Sequence, residues 1–506
     1  MKVSTLILPA LASATLVAAA PAGAPLVESN KLRRVLLRSD LKARAQELQA
    51  IATANNGTRA WGTSGHWDTL TWIESHIDKN YYKVEREYFN ITRQIFDDVS
   101  VKIEGVPYDD VNGMTGSPNG TVSADILAIP NFGCVASDYP ASVAGKIALV
   151  HRGSCNFGLK NALAGTAGAA GLVVWNNDPT SLQPTLGAPA DYNVTKFIVS
   201  AFITQADGQA LVTKLGTGTL PATVANVFHE EIGITANILA TTKGGDQNKI
   251  ISVGAHTDSV KAGPGINDNG SGTIAQIEVA KALTKFSVNN AIQFSWWSAE
   301  EDGLLGSRYH TSHLPEEEAA KIVMNLNFDM LASPNYLYAI YDGDASAFPS
   351  PYATNGSALI EKTFIDFFAE DGKKSVPTAF DGRSDYQGFL QIGVPAGGVF
   401  MGAEGIKTAE EATLFGGEAG KPYDHCYHQA CDNVNNLDYG AFITGTKSMA
   451  DAVAKYGLSI AGFPFPRPAA KLLPRGSLAE AMVPNPSLTK HAKHARHGGC
   501  GKALEY

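Results

Sequence analysis

The stretch Ile250-Ile-Ser-Val-Gly-Ala-His256-Thr-Asp258-Ser-Val260, followed by Gly263-Pro-Gly-Ile-Asn-Asp268-Asn-Gly-Ser-Gly272, decides the architecture. Its opening residues are short, apolar and β-branched, which reads as a buried strand. A His and an Asp follow the strand end. A turn rich in Gly, Pro and Asn then carries a second Asp and opens a helical stretch over 272–285. The same cycle repeats downstream, with apolar runs at 291–297, 322–328 and 394–401 separated by helical stretches. Buried strands alternating with helices predict a three-layer α/β/α domain on a mixed, largely parallel sheet. Ligands in such sheets bind beyond the carboxyl ends of the strands.

The acids and imidazoles fall at those ends. His256 and Asp258 follow the first run, and Asp268 sits in the next loop. Glu300 and Glu301 follow Trp297, Asp329 closes Met324-Asn-Leu-Asn-Phe-Asp, and His428 lies far downstream in Tyr423-Asp-His-Cys-Tyr-His-Gln-Ala-Cys-Asp432. A single Asp at a strand end is usually a helix cap, and a single His is usually structural. The joint pattern says more. Clustered buried acids repel one another and are costly unless paired or bound to a cation. Mixed imidazole and carboxylate donors suit Zn2+. A dinuclear centre answers the charge problem: one carboxylate bridges, and each ion takes one imidazole and one further carboxylate. One acid must stay off the metals to move a proton, and adjacent Glu300 and Glu301 point in different directions. Asp258, two residues from His256, can accept the other imidazole N–H.

Elsewhere the texture changes. Residues 35–53 and 66–79 read as amphipathic helices, and 96–104 alternates like a strand. Residues 120–235 hold short β-rich runs at 147–150, 171–175 and 197–203, a helix over 159–170 packed through small side chains, and two cysteines. They read as a small β-rich module inserted into the larger domain, whose parts are 35–119 and 236–463. Residues 464–506 are Pro-dotted and basic, with seven Lys/Arg against two Glu, and read as a disordered tail. Its His491, His494 and His497 are not read as a metal site.

The chain has 506 residues, 44% of them hydrophobic and 18% charged, with a formal charge of -9. That acidity argues against a nucleic-acid partner. Five cysteines are too few for a disulfide scaffold. Residues 1–20, with Lys2, an apolar run and Ala18-Ala-Ala-Pro21, read as a secretory signal peptide. No other segment supplies the ~18 apolar residues needed to cross a bilayer. A secreted, extracellular protein is expected, with a vacuolar fate as the variant. Lys31-Leu-Arg-Arg34 is either a processing site behind a pro-segment at 21–34 or the polar start of a helix. N-glycosylation is expected at Asn56, Asn90, Asn119, Asn193 and Asn355; a sixth sequon, at Asn269, falls inside the acid-bearing loop.

With these residues in view, 50–462 resembles the M28 family of metallopeptidases, in its secreted aminopeptidase branch. The motifs that carry the likeness are Gly-Ala-His256-Thr-Asp258-Ser, Gly-Ile-Asn-Asp268-Asn-Gly, Ser-Ala-Glu300-Glu301-Asp-Gly, Asn-Phe-Asp329-Met and Cys426-Tyr-His428-Gln-Ala-Cys431-Asp. The resemblance implies two zinc ions per chain. His256 and Asp329 hold one, Glu301 and His428 the other, Asp268 bridges, and Glu300 is the general base. It also implies a cis peptide after Asp268, which would leave Asn269 in the site wall and unglycosylated. Tyr427 corresponds to a tyrosine that steadies the oxyanion, and Arg383 to an arginine near the substrate backbone. A packed aromatic and a surface ion pair are the plainer readings of these two. His425 stands where relatives carry Pro, and is either a competing ligand or a titrating neighbour. Disulfides Cys426–Cys431 and Cys134–Cys155 are implied, leaving Cys500. Gly145-Lys-Ile-Ala-Leu-Val-His-Arg-Gly-Ser-Cys155 resembles a protease-associated (PA) domain.

The function implied is a monomeric aminopeptidase acting on peptides with a free N-terminus, without nucleic-acid or membrane partners. Alternatives on this scaffold are a carboxypeptidase, a glutaminyl cyclase, or a binding protein that has lost catalysis. The full ligand set argues against the last.

Overall fold

Four parallel strands lie side by side in a long sheet in the order Ala396–Phe400, Ile322–Asp329, Asp246–His256 and Asn290–Trp297. Leu220–Thr242 then pairs antiparallel with Asn290–Trp297. Ala339–Tyr341 and Val376–Thr378 finish the opposite side. This is a computed structural model, and it describes residues 23–466 except 178, 180–183 and 188. The expected signal peptide, almost all of the basic tail and Cys500 lie outside the described residues.

The register explains why the site forms where it does. Trp297 pairs with His256, Asn327 with Gly254, and Asp329 with Phe400, so the functional strand ends lie side by side. Alternation sends successive side chains to opposite layers. Trp296 enters the core formed with helices Arg38–Ala54, Gly270–Leu283, Asn355–Glu370 and Tyr439–Leu458, while Trp297 packs with Phe389 and Val394 on the other face. Helices Leu305–His313 and Tyr386–Gln391 cover that second face. The arrangement is three-layered, as the sequence pattern predicts.

Several element bounds differ from expectation. The helix expected at 35–53 runs over Arg38–Ala54, and a further short helix, Ser29–Arg34, precedes it. Lys31-Leu-Arg-Arg34 lies in the short helix Ser29–Arg34, with Leu32 fully buried in the main core beside Val27. The next helix runs over Ser64–His76, not 66–79, because the Thr63 hydroxyl accepts the His66 N–H as an N-cap. The strand expected at 96–104 extends over Tyr82–Ile103 and pairs along nearly its whole length with Leu220–Thr242.

That two-stranded ribbon joins the inserted module to the main sheet. At its far end Leu220–Asn226 pairs with Gly120–Ala128, which continues through parallel strands Ile147–His151, Gly171–Trp175 and Val199–Ile203. The module has its own apolar cores on the two faces of this sheet. Cys134 and Cys155 are disulfide-bonded within it.

Candidate metal centre and active site

His256 is the last residue of its strand and is 1% exposed. Thr273 donates a hydrogen bond to its carbonyl at 2.6 Å, tying the strand end to helix Gly270–Leu283. That helix begins immediately after Asp268. Its N-cap Asn269 accepts the Gly272 N–H at 2.9 Å, and donates through Nδ2 to the Phe328 carbonyl. Gly272 is required here, since a Cβ would sit 2.4 Å from the Phe328 oxygen. The Asp268–Asn269 peptide is cis, and Asn269 is 1% exposed. The five other sequon asparagines are all exposed.

Asp268 presents one oxygen to each imidazole. Its Oδ1 lies 3.3 Å from His256 Nε2 and its Oδ2 lies 3.2 Å from His428 Nε2. Asp329 Oδ1 is 3.6 Å from His256 Nε2, and Glu301 Oε2 is 3.0 Å from His428 Nε2. The residues thus form two groups that share Asp268, His256 with Asp329 and His428 with Glu301. Glu300 is close by as well, 3.8 Å from His256 Nε2 and 3% exposed, and its donor atom lies within 4.8 Å of those of His256 and Asp329. Asp258 faces the other nitrogen of His256 at 3.7 Å through its carboxylate and 3.3 Å through its carbonyl. Its carboxylate also accepts the backbone N–H groups of Glu300 and Glu301, at 3.1 and 3.3 Å. One buried acid therefore orients both the imidazole and the Glu-Glu loop.

The donor set fits a pair of cations. His256 Nε2, Glu301 Oε1 and Asp329 Oδ1 are buried and have no hydrogen-bond partner, an arrangement that is costly unless a ligand fills it. Burial raises the Glu300 carboxyl well above its usual range, and Asp385, Glu301 and Asp329 push it the same way against His256. Burial raises Glu301 to about 6. Burial disfavours a charged imidazole, yet Glu301 and Asp268 drive His428 up to about 10. This pocket of acids attracts positive charge.

Several supports escaped the sequence reading. Asp432 accepts the backbone N–H of Asn267 at 2.9 Å and of Asp268 at 3.0 Å, fixing the loop that presents Asp268. Asp424 accepts from Asn267 Nδ2 at 2.6 Å and from Asn436 Nδ2 at 2.8 Å. Ser384 donates to Asp329 Oδ2 at 2.7 Å. Arg59, fully buried, donates to the carbonyls of Thr257, Pro264 and Gly265 and clamps the two loops together. The Cys426–Cys431 disulfide closes the turn that carries His428. His425 is exposed beside this turn and takes no part in the cleft wall.

Tyr427 stacks on His428 with ring centres 3.8 Å apart. Arg383 Nη2 donates to the Tyr427 hydroxyl at 3.1 Å, and the same guanidinium makes two hydrogen bonds to Glu404, at 3.0 and 3.2 Å. Both line the cleft. The rest of its wall combines apolar Met330, Tyr341, Ala379, Phe400 and Ala403 with polar Thr378, Asp381 and Ser384.

The sequence is 43% identical to a probable leucine aminopeptidase 2 of Aspergillus fumigatus, over 94% of this chain and 93% of that protein. The pattern of Peptidase family M28 matches residues 237–453. The chain belongs to peptidase family M28. A PA domain matches residues 120–211 of this M28 peptidase, within the module that the ribbon carries. Leucine aminopeptidase 2 of Trichophyton rubrum is 44% identical to the M28 chain over 87% of its length and 88% of its own. Among solved structures, the aminopeptidase from Aneurinibacillus sp. strain AM-1 shares the fold, with a TM-score of 0.66 at 22% identity over 85% of this chain and 96% of that one. The zinc aminopeptidase BSAP from Bacillus subtilis does likewise, with a TM-score of 0.60 at 23% identity over 84% and 96%.

Proposed function

We propose that this M28 peptidase is a secreted aminopeptidase that removes N-terminal residues from peptides with two zinc ions at Asp268. The observation that carries the proposal is the bridging geometry, with the two oxygens of Asp268 turned to different imidazoles at 3.3 and 3.2 Å. His256 and Asp329 would hold one ion, and His428 and Glu301 the other. Once bound, the pair supplies Lewis acidity for the scissile carbonyl and lowers the pKa of water.

The protein's own groups do the rest. Glu300 is the general base: it takes the proton of the attacking water and delivers it to the leaving amine. Its burial among like charges raises its proton affinity toward that task. Tyr427, steadied by Arg383 and by stacking on His428, donates to the oxygen that becomes negative. Arg383 acts through Tyr427, as a positioning residue.

A second contact of Arg383 supports the direction of cleavage. A carboxypeptidase needs a cation for the substrate carboxylate, but the Arg383 guanidinium is held bidentately by Glu404. A cleft lined with acids suits an ammonium terminus. The apolar part of the wall suits an aliphatic N-terminal side chain, in keeping with relatives named leucine aminopeptidase. A panel of aminoacyl chromogenic substrates, run beside N-blocked peptides, tests this reading. Hydrolysis of leucyl substrates with no action on blocked peptides is expected; release of residues from the carboxyl end of blocked peptides would overturn it.

A further inference from the structure

The ribbon of Tyr82–Ile103 and Leu220–Thr242 has two unlike faces. Phe89 and Ile91 point inward and pack with Trp61 and Ala299. Gly233 sits so close to Trp61 that a Cβ would lie 2.7 Å from its ring. The outward face carries three large apolar side chains in water: Tyr88 is 57% exposed, Ile232 72% and Ile234 56%. Large apolar side chains gathered on one exposed face mark a surface that something covers.

The cover is written in the register. Tyr88, Asn90 and Thr92 alternate onto the same outward face, and Asn90 and Thr92 form the sequon Asn90-Ile-Thr92. Asn90 pairs directly with Ile234, and Thr92 with Ile232. A sugar on Asn90 therefore emerges between the Tyr88 ring and the two isoleucines, within reach of each. Of the five exposed sequons, only this one has an aromatic residue two positions before the asparagine; the others have Ala54, Ser117, Asp191 and Ala353 there. Asn119 differs further, because its Nδ2 already donates to the Phe228 carbonyl at 2.7 Å.

We infer that Asn90 carries an N-linked glycan whose first N-acetylglucosamine lies on Tyr88 and covers the apolar face of the ribbon. The pyranose ring offers a face of C–H groups to the aromatic ring, while its hydroxyls stay in water. Attachment replaces one Nδ2 hydrogen of Asn90 with a bond to C1 of the sugar. A lipid-pyrophosphate oligosaccharide serves as donor, and its pyrophosphate leaves with the proton. The inference rests on the secretory reading above.

The test uses the full chain secreted from a host that adds N-glycans. Glycopeptide mass spectrometry reads occupancy at Asn90. Thermal midpoint and binding of an apolar fluorescent dye are then measured for the wild type, Asn90→Gln, Tyr88→Ser and the double variant. Thr92→Ala, which breaks the sequon and keeps Asn90, replaces Asn90→Gln should that variant misfold. Occupancy is expected, with a loss of roughly 2 °C and increased dye binding when the sugar is absent. Tyr88→Ser should lower the midpoint only while the sugar is present. An unoccupied Asn90, or equal Tyr88→Ser effects with and without sugar, overturns the inference. Leucyl-substrate turnover should be the same in all four proteins, so failure of this inference and failure of the peptidase assignment are read separately.

Discussion

Lys160, in helix Phe157–Thr166 of the inserted module, and Glu300, in the loop after strand Asn290–Trp297 of the peptidase domain, are both buried ionisable side chains, and they mean opposite things. Lys160 is fully buried, but its ammonium donates to the carbonyls of Phe132 at 2.7 Å and Gly153 at 2.8 Å. Its neighbour Asn161 is equally matched, with Ile198 and Ser200. Around Glu300 the buried His256, Glu301 and Asp329 keep unmatched atoms that face one another. Burial alone does not mark a site. A buried polar group whose hydrogen bonds close within the protein is architecture; a cluster whose atoms remain open is built for a ligand.

The sharpest way to break this contrast is to remove the charge on each side. Glu300→Gln should lower kcat by about 1,000-fold while retaining both metals and the thermal midpoint; unchanged turnover would remove Glu300 as the base. Next comes His66, buried in helix Ser64–His76 against Ser298 and Thr235. Burial holds its imidazole down to about 4. The unfolded chain, titrating near 6.5, takes up a proton that the folded protein refuses. Stability contributed by neutral His66 is therefore complete above pH ~6.5 and declines as pH falls toward 4, by about 2 kcal/mol between pH 7 and 5. Urea unfolding at the two pH values measures it, and His66→Gln should remove that share of the pH dependence.

Lys160→Met should cost about 2 kcal/mol of stability, since two buried carbonyls lose their donor, yet leave hydrolysis of short aminoacyl substrates within about twofold. A large loss of kcat in a folded Lys160 variant would erase the distinction between the two regions. The smallest effect is expected at the cleft mouth. Glu404→Gln loosens Arg383 and should raise KM or lower kcat by a few fold, about 1 kcal/mol. A gain of activity on blocked peptides would show that Glu404 holds the enzyme to the amino end.

Much of the site was legible because its chemistry sits next to strong strand patterns. His256, Glu300, Glu301 and Asp329 each end or follow an apolar run, and the sheet register alone brings those ends together. Assignment of His428 needed the family motif, since no strand precedes it. The supporting residues were hidden for a physical reason. Asp424, Asp432, Ser384 and Arg59 act through hydrogen bonds to groups distant in sequence, and nothing in their local pattern names those partners. The ribbon was only half seen, because along Tyr82–Ile103 the buried positions thin out midway between two domains and the period-two signal fades there. Helix starts such as Thr63 and Asn269 are set by capping geometry, which displaces them from the apolar pattern by a few residues.

Metal content tests the central claim most directly. Elemental analysis of the purified, dialysed full chain should return two equivalents of zinc, and Asp268→Asn, which removes the shared carboxylate charge, should lose most of both. Wild-type protein that is active with one equivalent or fewer, or an Asp268→Asn variant that keeps two, would contradict the account.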